Sequence, residues 1–377
     1  MRMKYLVLGM IALLIMAMLV ACSSADMETP CPTAAPCPEC PDCPACLECA
    51  ECEVCPEVLV EDVPFEQAWY ESPHNDSTAE AFTHWNEEDP AAVPGACAHC
   101  HTTSGYQDYV GADGSEIYQV DGESFEVGET VECAACHNEA TLALDSVPFP
   151  SSVVISDLGA EARCMVCHQG RASSLQVNEL IDANELGEDL DSVNEGLRFI
   201  NIHYYAAAAT LYGTAVDGGY EYSGLSYDFK NDHVEGYDTC IGCHDAHSLE
   251  LKLEECSACH QNLNSIEYIA DIRMAVSLVD YDGDGDMEEG VSEEIVGLQE
   301  MLYGAMQSYS SEVTGTPLVY NPAAYPYFFI DTNENGEADE AEASSDNSFN
   351  AWTGRLVKAA YNYQVSLKDP GTYAHGG

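Results

Sequence analysis

Residues 233–260 read HVEGYDTCIGCHDAHSLELKLEECSACH, and this stretch contains the pattern Cys-x-x-Cys-His twice. The same pattern occurs three more times, between residues 97 and 168. Two cysteines at this spacing can each form a thioether with a vinyl group of one haem, while the adjacent histidine ligates its iron. Structural zinc is the alternative, but two motifs would have to share each metal, and five is an odd number. The sequence therefore predicts five covalently bound haem c groups.

The motifs also name the residues that would hold these haems. The ten predicted attachment cysteines are Cys97, Cys100, Cys133, Cys136, Cys164, Cys167, Cys240, Cys243, Cys256 and Cys259. The five predicted proximal ligands are His101, His137, His168, His244 and His260.

Seven further histidines are available for the second axial position of the irons. His99 lies inside a motif, where reaching another iron is awkward. The six remaining distal candidates are His74, His84, His203, His233, His247 and His375. Methionine is the competing ligand type, but Met274, Met301 and Met306 lie in apparent helices as core residues. Two imidazoles on each iron favour lower potentials than a His–Met pair.

His244 and His247 stand in the order C-H-x-x-H and cannot bind one iron from opposite faces. His247 is therefore predicted to reach a neighbouring haem, which requires two haems to lie close together. The short gap between Cys243 and Cys256 indicates the same. Closely spaced haems allow electrons to hop along the chain.

The predicted fold class is a multihaem cytochrome c, mostly irregular coil with short α-helices wrapped around a haem chain and few strands. Apolar residues at helical spacing predict two longer helices, at 292–309 and 352–367. We expect four regions along the chain. They are a signal peptide at 1–21, a lipidated Cys/Pro-rich tether at 22–62, a haem-binding core at 63–263, and a helical region with two calcium-type loops and a distal histidine at 264–377.

Two acidic loops near the C-terminus resemble the twelve-residue calcium loop of the EF-hand. Residues 331–342 fit it throughout, with Gly336 at position six and Glu342 at position twelve. Residues 280–288 fit the first nine positions, but position twelve is Val291, so the bidentate acid must come from elsewhere, with Glu289 as the candidate. An acidic turn without metal is the alternative in both cases. The predicted calcium ligands are Asp280, Asp282, Asp284, Asp286, Glu288, Glu289, Asp331, Asn333, Asn335, Glu337 and Glu342.

The N-terminal segment predicts export and membrane attachment. Arg2 and Lys4 precede an apolar run that ends in Leu-Val-Ala-Cys at Cys22, which is typical of a lipoprotein signal peptide. An uncleaved anchor helix with an incidental cysteine is the alternative.

In the tether, eight cysteines from residue 31 to 55 are separated by multiples of three, which places them on one edge of a polyproline II chain. Neighbours on that edge are too far apart to bridge, so crosslinking to an identical tether is one hypothesis, beside local disulfides and metal capture.

The chain is strongly acidic, with 66 Asp and Glu residues against 11 Lys and Arg. Such a surface repels nucleic acid and anionic lipid. It suits calcium, cationic partners or high salt, although a solvated acidic shell that aids solubility explains it equally well.

From about residue 69 onward the sequence resembles a family of extracellular multihaem cytochromes, some of which polymerise into conducting filaments. The resemblance is carried by SPHNDSTAEAFTHW at 72–85, CMVCHQGR at 164–171, NIHYYAAAATLYG at 201–213, HVEGYDTCIGCHDAHSLE at 233–250, and KAAYNYQ with KDPGTYAHG within 358–376. It implies that His203, His233 and His375 are distal ligands, with His74 and His84 as rivals or partners, and that Arg171 lies near haem propionates. The family also leads us to expect more helix after His375, so a haem of a neighbouring molecule is an alternative partner for that residue. The cysteine-rich tether is a departure from the family.

The leading functional prediction is electron transfer without substrate chemistry, and the alternative is a multihaem reductase of a small oxyanion or metal at an open haem. All five motifs end in histidine, whereas pentahaem nitrite reductases usually mark the open iron with Cys-x-x-Cys-Lys. A structural filament protein is a third possibility. The expected location is the cell surface or the outer face of the membrane. The expected partners are the membrane, other redox proteins or extracellular acceptors, and copies of the same chain, but no nucleic acid.

Overall fold

Short helices joined by coil make up most of the structure, a computed structural model that describes residues 63–227, 230, 233–261, 263, 265–274 and 276–376. The predicted signal peptide, the lipidation residue Cys22 and the cysteine-rich tether lie outside the described residues. Within the described part there are fifteen α-helices and six strands, and most helices have fewer than eight residues. The prediction of short helices, abundant coil and few strands agrees with this architecture.

The helices and strands are labelled here in chain order. The helices are α1 Glu66–Tyr70, α2 Glu80–Thr83, α3 Gly95–His101, α4 Thr103–Tyr109, α5 Cys133–Cys136, α6 Glu139–Ala143, α7 Ala162–His168, α8 Ser174–Ala183, α9 Ala207–Tyr212, α10 Cys240–Cys243, α11 Leu253–Cys256, α12 Glu267–Ala270, α13 Val291–Tyr309, α14 Gly354–Lys368 and α15 Thr372–His375. The strands are β1 Val93–Pro94, β2 Ser124–Phe125, β3 Ser146–Pro148, β4 Val154–Ser156, β5 Leu318–Tyr320 and β6 Phe328–Ile330.

The strands form three antiparallel pairs, β1 with β2, β3 with β4 and β5 with β6. The two longest helices, α13 and α14, lie within two residues of the segments predicted from hydrophobic spacing. No helix among the described residues is both long and apolar enough to cross a membrane.

Polar residues immediately before several helices fix where those helices begin. The hydroxyl of Thr102 accepts a hydrogen bond from the amide of Gly105 at the start of α4, and Thr353 accepts one from Leu356 at the start of α14. Ser173 forms a capping box with Gln176 at the start of α8. Such caps satisfy amide donors that would otherwise lack partners.

The larger hydrophobic core packs α8 against α14 and the β5–β6 pair. Leu356, Val357, Ala360 and Tyr361 of α14 are at most 1% exposed, and Trp352 is buried in the same core. This core draws residues from both sides of position 263, and the chain from Asp62 onward forms one unit.

The second core is built around one of the Cys-x-x-Cys-His motifs. Met165 and Val166, which separate the two cysteines of α7, are both fully buried in it. The motif helices α3 and α5 bury Ala98 and Ala135 in the same way. The intervening residues of these three motifs therefore anchor the motif helices to the protein, which leaves the thiols and histidines on their other faces.

Candidate haem-binding centres

Each of the five motif histidines faces one further histidine, and no histidine belongs to two pairs. The ring centroids in these pairs are between 6.0 and 6.4 Å apart. The pairs are His101–His203 at 6.0 Å, His137–His247 at 6.1 Å, His168–His74 at 6.4 Å, His244–His375 at 6.4 Å and His260–His233 at 6.0 Å.

The spacing within the pairs fits an iron ion held between two imidazoles. A metal–imidazole bond is about 2 Å long and the bonded nitrogen lies about 1 Å from its ring centre, so opposed rings on one metal have centroids roughly 6 Å apart. In every pair one member follows two cysteines at the haem-attachment spacing. The residues present at each motif therefore fit a haem c with histidine on both faces.

Hydrogen bonds at Nδ1 orient several of these rings. The Nδ1 atom of His101 donates to the carbonyl of Ala81 at 2.7 Å, and that of His168 donates to the carbonyl of Tyr205 at 2.9 Å. His244 donates in the same way to the carbonyl of Leu249 at 3.0 Å. A carbonyl can only accept, so the proton must be on Nδ1, and Nε2 keeps the lone pair that a metal requires.

Burial keeps two of the additional histidines in the neutral form. It lowers the pKa of His74 to about 4, assisted by His168, and it lowers the pKa of His203 to about 4, with Arg171 as the next contribution. Burial also lowers the pKa of His101. A histidine must be neutral to ligate a metal, so these environments suit metal binding at physiological pH.

The additional histidines are held by local backbone structure rather than by long helices. His247 lies in a turn in which the Asp245 carboxylate accepts hydrogen bonds from the amides of His247 and Ser248. His203 has a φ of +79°, in the left-handed region, and its amide donates to the Asn201 side chain at 2.7 Å. A strained backbone at a non-glycine residue is common where a side chain must be aimed at a functional site.

The attachment thiols bring neighbouring motifs into contact. The Cys167 thiol donates to the backbone carbonyl of His99 at 3.4 Å, which joins α7 to the motif helix α3. The Cys240 thiol donates to the Glu161 carboxylate at 3.6 Å, which places α10 beside the start of α7. Three of the five motifs are therefore contiguous, with α7 in the middle.

Two histidines remain outside the pairs among the described residues. His84, one of the six distal candidates, binds the Glu80 carboxylate through Nδ1 at 2.8 Å and lies edge-on against Trp85. His99 stacks on Tyr109 with the ring centroids 4.8 Å apart. The resemblance implies that His74 and His84 are rivals or partners as distal ligands, and the structure places only His74 opposite a motif histidine. It also pairs His375 with a motif histidine of the same chain.

The methionines that competed as ligands lie away from the motif histidines. Met306 is 2% exposed and belongs to the larger core, whereas Met274 and Met301 are exposed on the surface. The described part of the chain thus offers histidine, and not methionine, opposite each motif histidine.

The loop at 331–342 has the backbone of a calcium loop. The Asp331 carboxylate accepts hydrogen bonds from the amides of Asn335 and Gly336, and Gly336 has the positive φ that position six requires. The Glu342 carboxylate accepts from the amide and hydroxyl of Thr332. Asp331 and Glu342 are 5% and 3% exposed, so two acidic groups are buried at opposite ends of the loop.

The loop at 280–288 brings carboxylates into two groups, each with oxygens within 4.8 Å of one another. One group contains Asp280, Asp282 and Glu294, and the other contains Asp282, Asp284 and Glu289. Partial burial, together with the carboxylates of Asp284 and Asp282, raises the pKa of Glu289 to about 7. Such crowding is relieved by a bound cation. The predicted ligands Asp286 and Glu288 are exposed and lie outside both groups.

Three residues that contact these sites were not identified from the sequence. Glu294 is 1% exposed and reaches the calcium-type loop from α13. Lys368 and Asp369 lie beside two different histidine pairs. Both belong to the string KDPGTYAHG, but their sequence position gave no sign of which pair each would approach.

Comparisons with known proteins identify two similar cytochromes from Geobacter sulfurreducens. The chain is 27% identical to the C-type polyheme cytochrome OmcC over 80% of its own length and 43% of that protein. It is 25% identical to the C-type polyheme cytochrome OmcB over 80% of its length and 44% of that protein. The chain thus spans less than half the length of the curated relatives it matches. No family model matches the chain, and no solved structure matches it.

Proposed function

We propose that this chain is a pentahaem c-type cytochrome lipoprotein that carries electrons across or outside the cell envelope. The observation that carries this proposal is the pairing of every motif histidine with one other histidine. When bound, haem c supplies an iron that takes up and releases single electrons. Similarity to two polyheme cytochromes supports the same class of protein.

The pairs also support a specific set of ligands. The motif histidine of each pair is the proximal ligand, and the distal ligands are His203, His247, His74, His375 and His233 in the chain order of the motifs. The remaining candidate, His84, is assigned no iron because its ring lies against Trp85 and, among the described residues, faces no motif histidine.

Two imidazoles on one iron occupy both of its axial positions, so no position is left for a substrate. A reductase of an oxyanion or a metal needs at least one open iron. The described residues provide a second histidine at all five motifs, which favours electron transfer over catalysis.

The residues around three of the motifs hold the attachment helices in place. Ala98, Ala135, Met165 and Val166 are fully buried and fix these helices against the protein. Hydrogen bonds at Nδ1 set the orientation of three proximal rings. Fixed ligands reduce the rearrangement that accompanies each change of charge at a metal. The contacts that join α3 to α7 and place α10 beside the start of α7 favour sites that are close enough to exchange electrons.

The proposed location and partners of the protein rest on the sequence alone. A lipid on Cys22 would attach the protein to a membrane, and the tether would separate the haem-binding part from that membrane. Other redox proteins or extracellular acceptors are the proposed partners, and assembly into a homo-oligomer or filament is part of the same proposal.

Calcium is proposed as a structural ion in one or both acidic loops. Hard oxygen ligands and a glycine at position six suit Ca²⁺. The support is the burial of Asp331 and Glu342 in one loop, and the convergence of Asp280, Asp282 and Glu294 in the other. Because the loop at 331–342 follows β6 directly, an ion there would fix that strand against the larger core.

Mass spectrometry and spectroscopy of the purified full-length protein test the proposal. We expect five haem adducts on the mature chain, a low-spin ferric signal in low-temperature electron paramagnetic resonance, and no rapid uptake of carbon monoxide by the reduced protein. Fewer than five adducts would refute the haem count. A stoichiometric high-spin signal, or rapid carbon monoxide binding, would instead favour a reductase with an open iron.

A further inference from the structure

Lys368 and Asp369, two consecutive residues of opposite charge at the end of α14, approach different histidine pairs. Lys368 and Asp369 are 5% and 3% exposed, so both charges are buried. Asp369 contacts His375 directly, whereas Lys368 lies against Tyr204, the residue that follows His203. Buried charges act strongly on their surroundings because little water screens them.

Asp369 forms a carboxylate–histidine contact. Its two oxygens lie 2.8 and 3.0 Å from Nδ1 of His375, and the amide of Gly371 donates to the same carboxylate at 3.0 Å. The proximal histidines His101 and His168 donate instead to neutral backbone carbonyls. A carboxylate at Nδ1 makes a histidine a more basic metal ligand, and so favours the more positive, oxidised state of a metal bound at Nε2.

Lys368 places a positive charge beside the His101–His203 pair. Its Nζ lies 3.7 Å from the ring centroid of Tyr204 and 4.4 Å from that of Tyr327, and the two tyrosine hydroxyls are hydrogen-bonded to each other. The ring centroid of Tyr204 is 5.3 Å from that of His203. Among the described residues no carboxylate pairs with Lys368, so the aromatic rings hold an ammonium that is not neutralised.

A second cation reaches the same pair from another part of the chain. The amide of Arg171 donates to the carbonyl of Ile202 at 2.8 Å, next to His203, and the Arg171 charge helps to lower the pKa of both His203 and His101. Positive charge near a metal site disfavours the oxidised state, because that state carries one more positive charge than the reduced one. Arg171 and Lys368 therefore act on the His101–His203 site in the same direction.

We propose that Lys368 and Asp369 set the reduction potentials of two haem sites in opposite directions. The inference rests on the proposed haem binding. Each site takes up one electron, and ferric iron becomes ferrous without any other change in composition. Lys368 makes the His101–His203 site easier to reduce, and Asp369 makes the His244–His375 site harder to reduce. Together the two charges shift the electron equilibrium between these sites toward His101–His203.

The test is a spectroelectrochemical titration of the full haem-loaded protein at one neutral pH. Lys368→Met is expected to lower one of the midpoint potentials, and Asp369→Asn is expected to raise a different one. Each shift is expected to be roughly tenfold in the one-electron equilibrium constant, or about 59 mV. Both substitutions remove a charge while keeping a side chain of similar size.

Matched controls separate the local effect of each charge from a change in total charge. Lys358 lies on the same helix and faces the ring of Tyr220 at 4.8 Å, so Lys358→Met removes an ammonium from a similar aromatic setting. Asp191→Asn removes a carboxylate that pairs with Arg355. Neither control is expected to move a midpoint potential by more than a small fraction of the main shift. Lys368→Arg keeps the charge and is expected to keep the wild-type potentials.

The outcomes for this inference and for haem binding are distinguishable. Haem content is measured first by mass, and a wild-type chain without its haems refutes the proposed function rather than the tuning. Variants with all haems bound and unchanged potentials overturn the inference. It is also overturned if both variants shift potentials in the same direction, or if Lys368→Arg shifts them as much as Lys368→Met.

Discussion

Replacing His247 with alanine is expected to open one iron out of five. The ring of His247 lies between Phe65, with ring centroids 4.6 Å apart, and His137, with centroids 6.1 Å apart. Alanine removes the imidazole but leaves both thioether cysteines and the proximal ligand of that site in place. The haem should stay attached and lose one axial ligand. About one fifth of the ferric iron should therefore become high-spin, and the reduced variant should bind about one carbon monoxide per chain.

The assay for this variant combines carbon monoxide titration with electron paramagnetic resonance and a haem count by mass. His84→Ala and His99→Ala are the matched controls, because each removes a histidine that faces no motif histidine. Both controls are expected to bind no carbon monoxide. The ligand assignment would be refuted if His84→Ala opened an iron while His247→Ala did not. A full count of five haems in His247→Ala would exclude loss of the whole haem as the cause.

Three further predictions concern the loops, the packing and the tether. Calcium at 100 times its dissociation constant should stabilise the protein by about 2.7 kcal/mol. Thermal unfolding with and without a chelator should show this difference in the wild type and in the exposed control Glu340→Gln, but not in Glu342→Gln. Gly105→Ala should destabilise the protein by about 1–3 kcal/mol in denaturant unfolding, since a Cβ there would overlap the motif helix α3. The control Gly304→Ala should be neutral or stabilising, because a Cβ there would meet open space. Non-reducing electrophoresis of membrane-extracted protein should give crosslinked bands that reducing agent removes if the tether at 22–62 joins chains, and a purely monomeric band would contradict the crosslink.

The proposed attachment residues can be named from the sequence because their chemistry is local. A thiol, a second thiol three residues later and an adjacent imidazole suit attachment of one haem, so the spacing itself carries the information. The same reasoning holds for the longer helices α13 and α14, whose apolar residues recur with the helical period over several turns. The six-member set of distal candidates came from counting and from the resemblance rather than from any local pattern.

The pairing of the distal histidines could not be predicted, because it depends on contacts between residues far apart in the chain. His74 and His84 lie within one short string, yet only the ring of His74 faces a motif histidine, that of His168. His84 follows α2, and its Nδ1 is held by Glu80 one helical turn earlier. Nothing in the string itself distinguishes a ring that faces a motif histidine from one that does not.

In the acidic loops too, the sequence pattern does not identify every carboxylate that reaches the site. The pattern of the loop at 280–288 predicted that a carboxylate must come from elsewhere, and Glu289 was the suggested source. Glu289 does join Asp282 and Asp284, but Glu294 also converges on the loop from the first turns of α13. Glu294 is one helical turn past the expected position twelve, so its approach depends on where the helix begins rather than on the spacing of the loop.

Three of the few basic residues of the chain lie beside the proposed haem sites. Only 11 Lys and Arg residues face 66 acidic ones, and each haem carries two carboxylates, so binding five haems would add negative charge to a chain that already repels it. Arg163 directly precedes Cys164, and its Nε is buried with no hydrogen-bond partner among the described residues. A buried donor of this kind is suited to a carboxylate. Arg171 and Lys368 flank another site. Cations concentrated at the proposed haem sites would offset the local repulsion, and their uneven distribution would make those sites differ in potential.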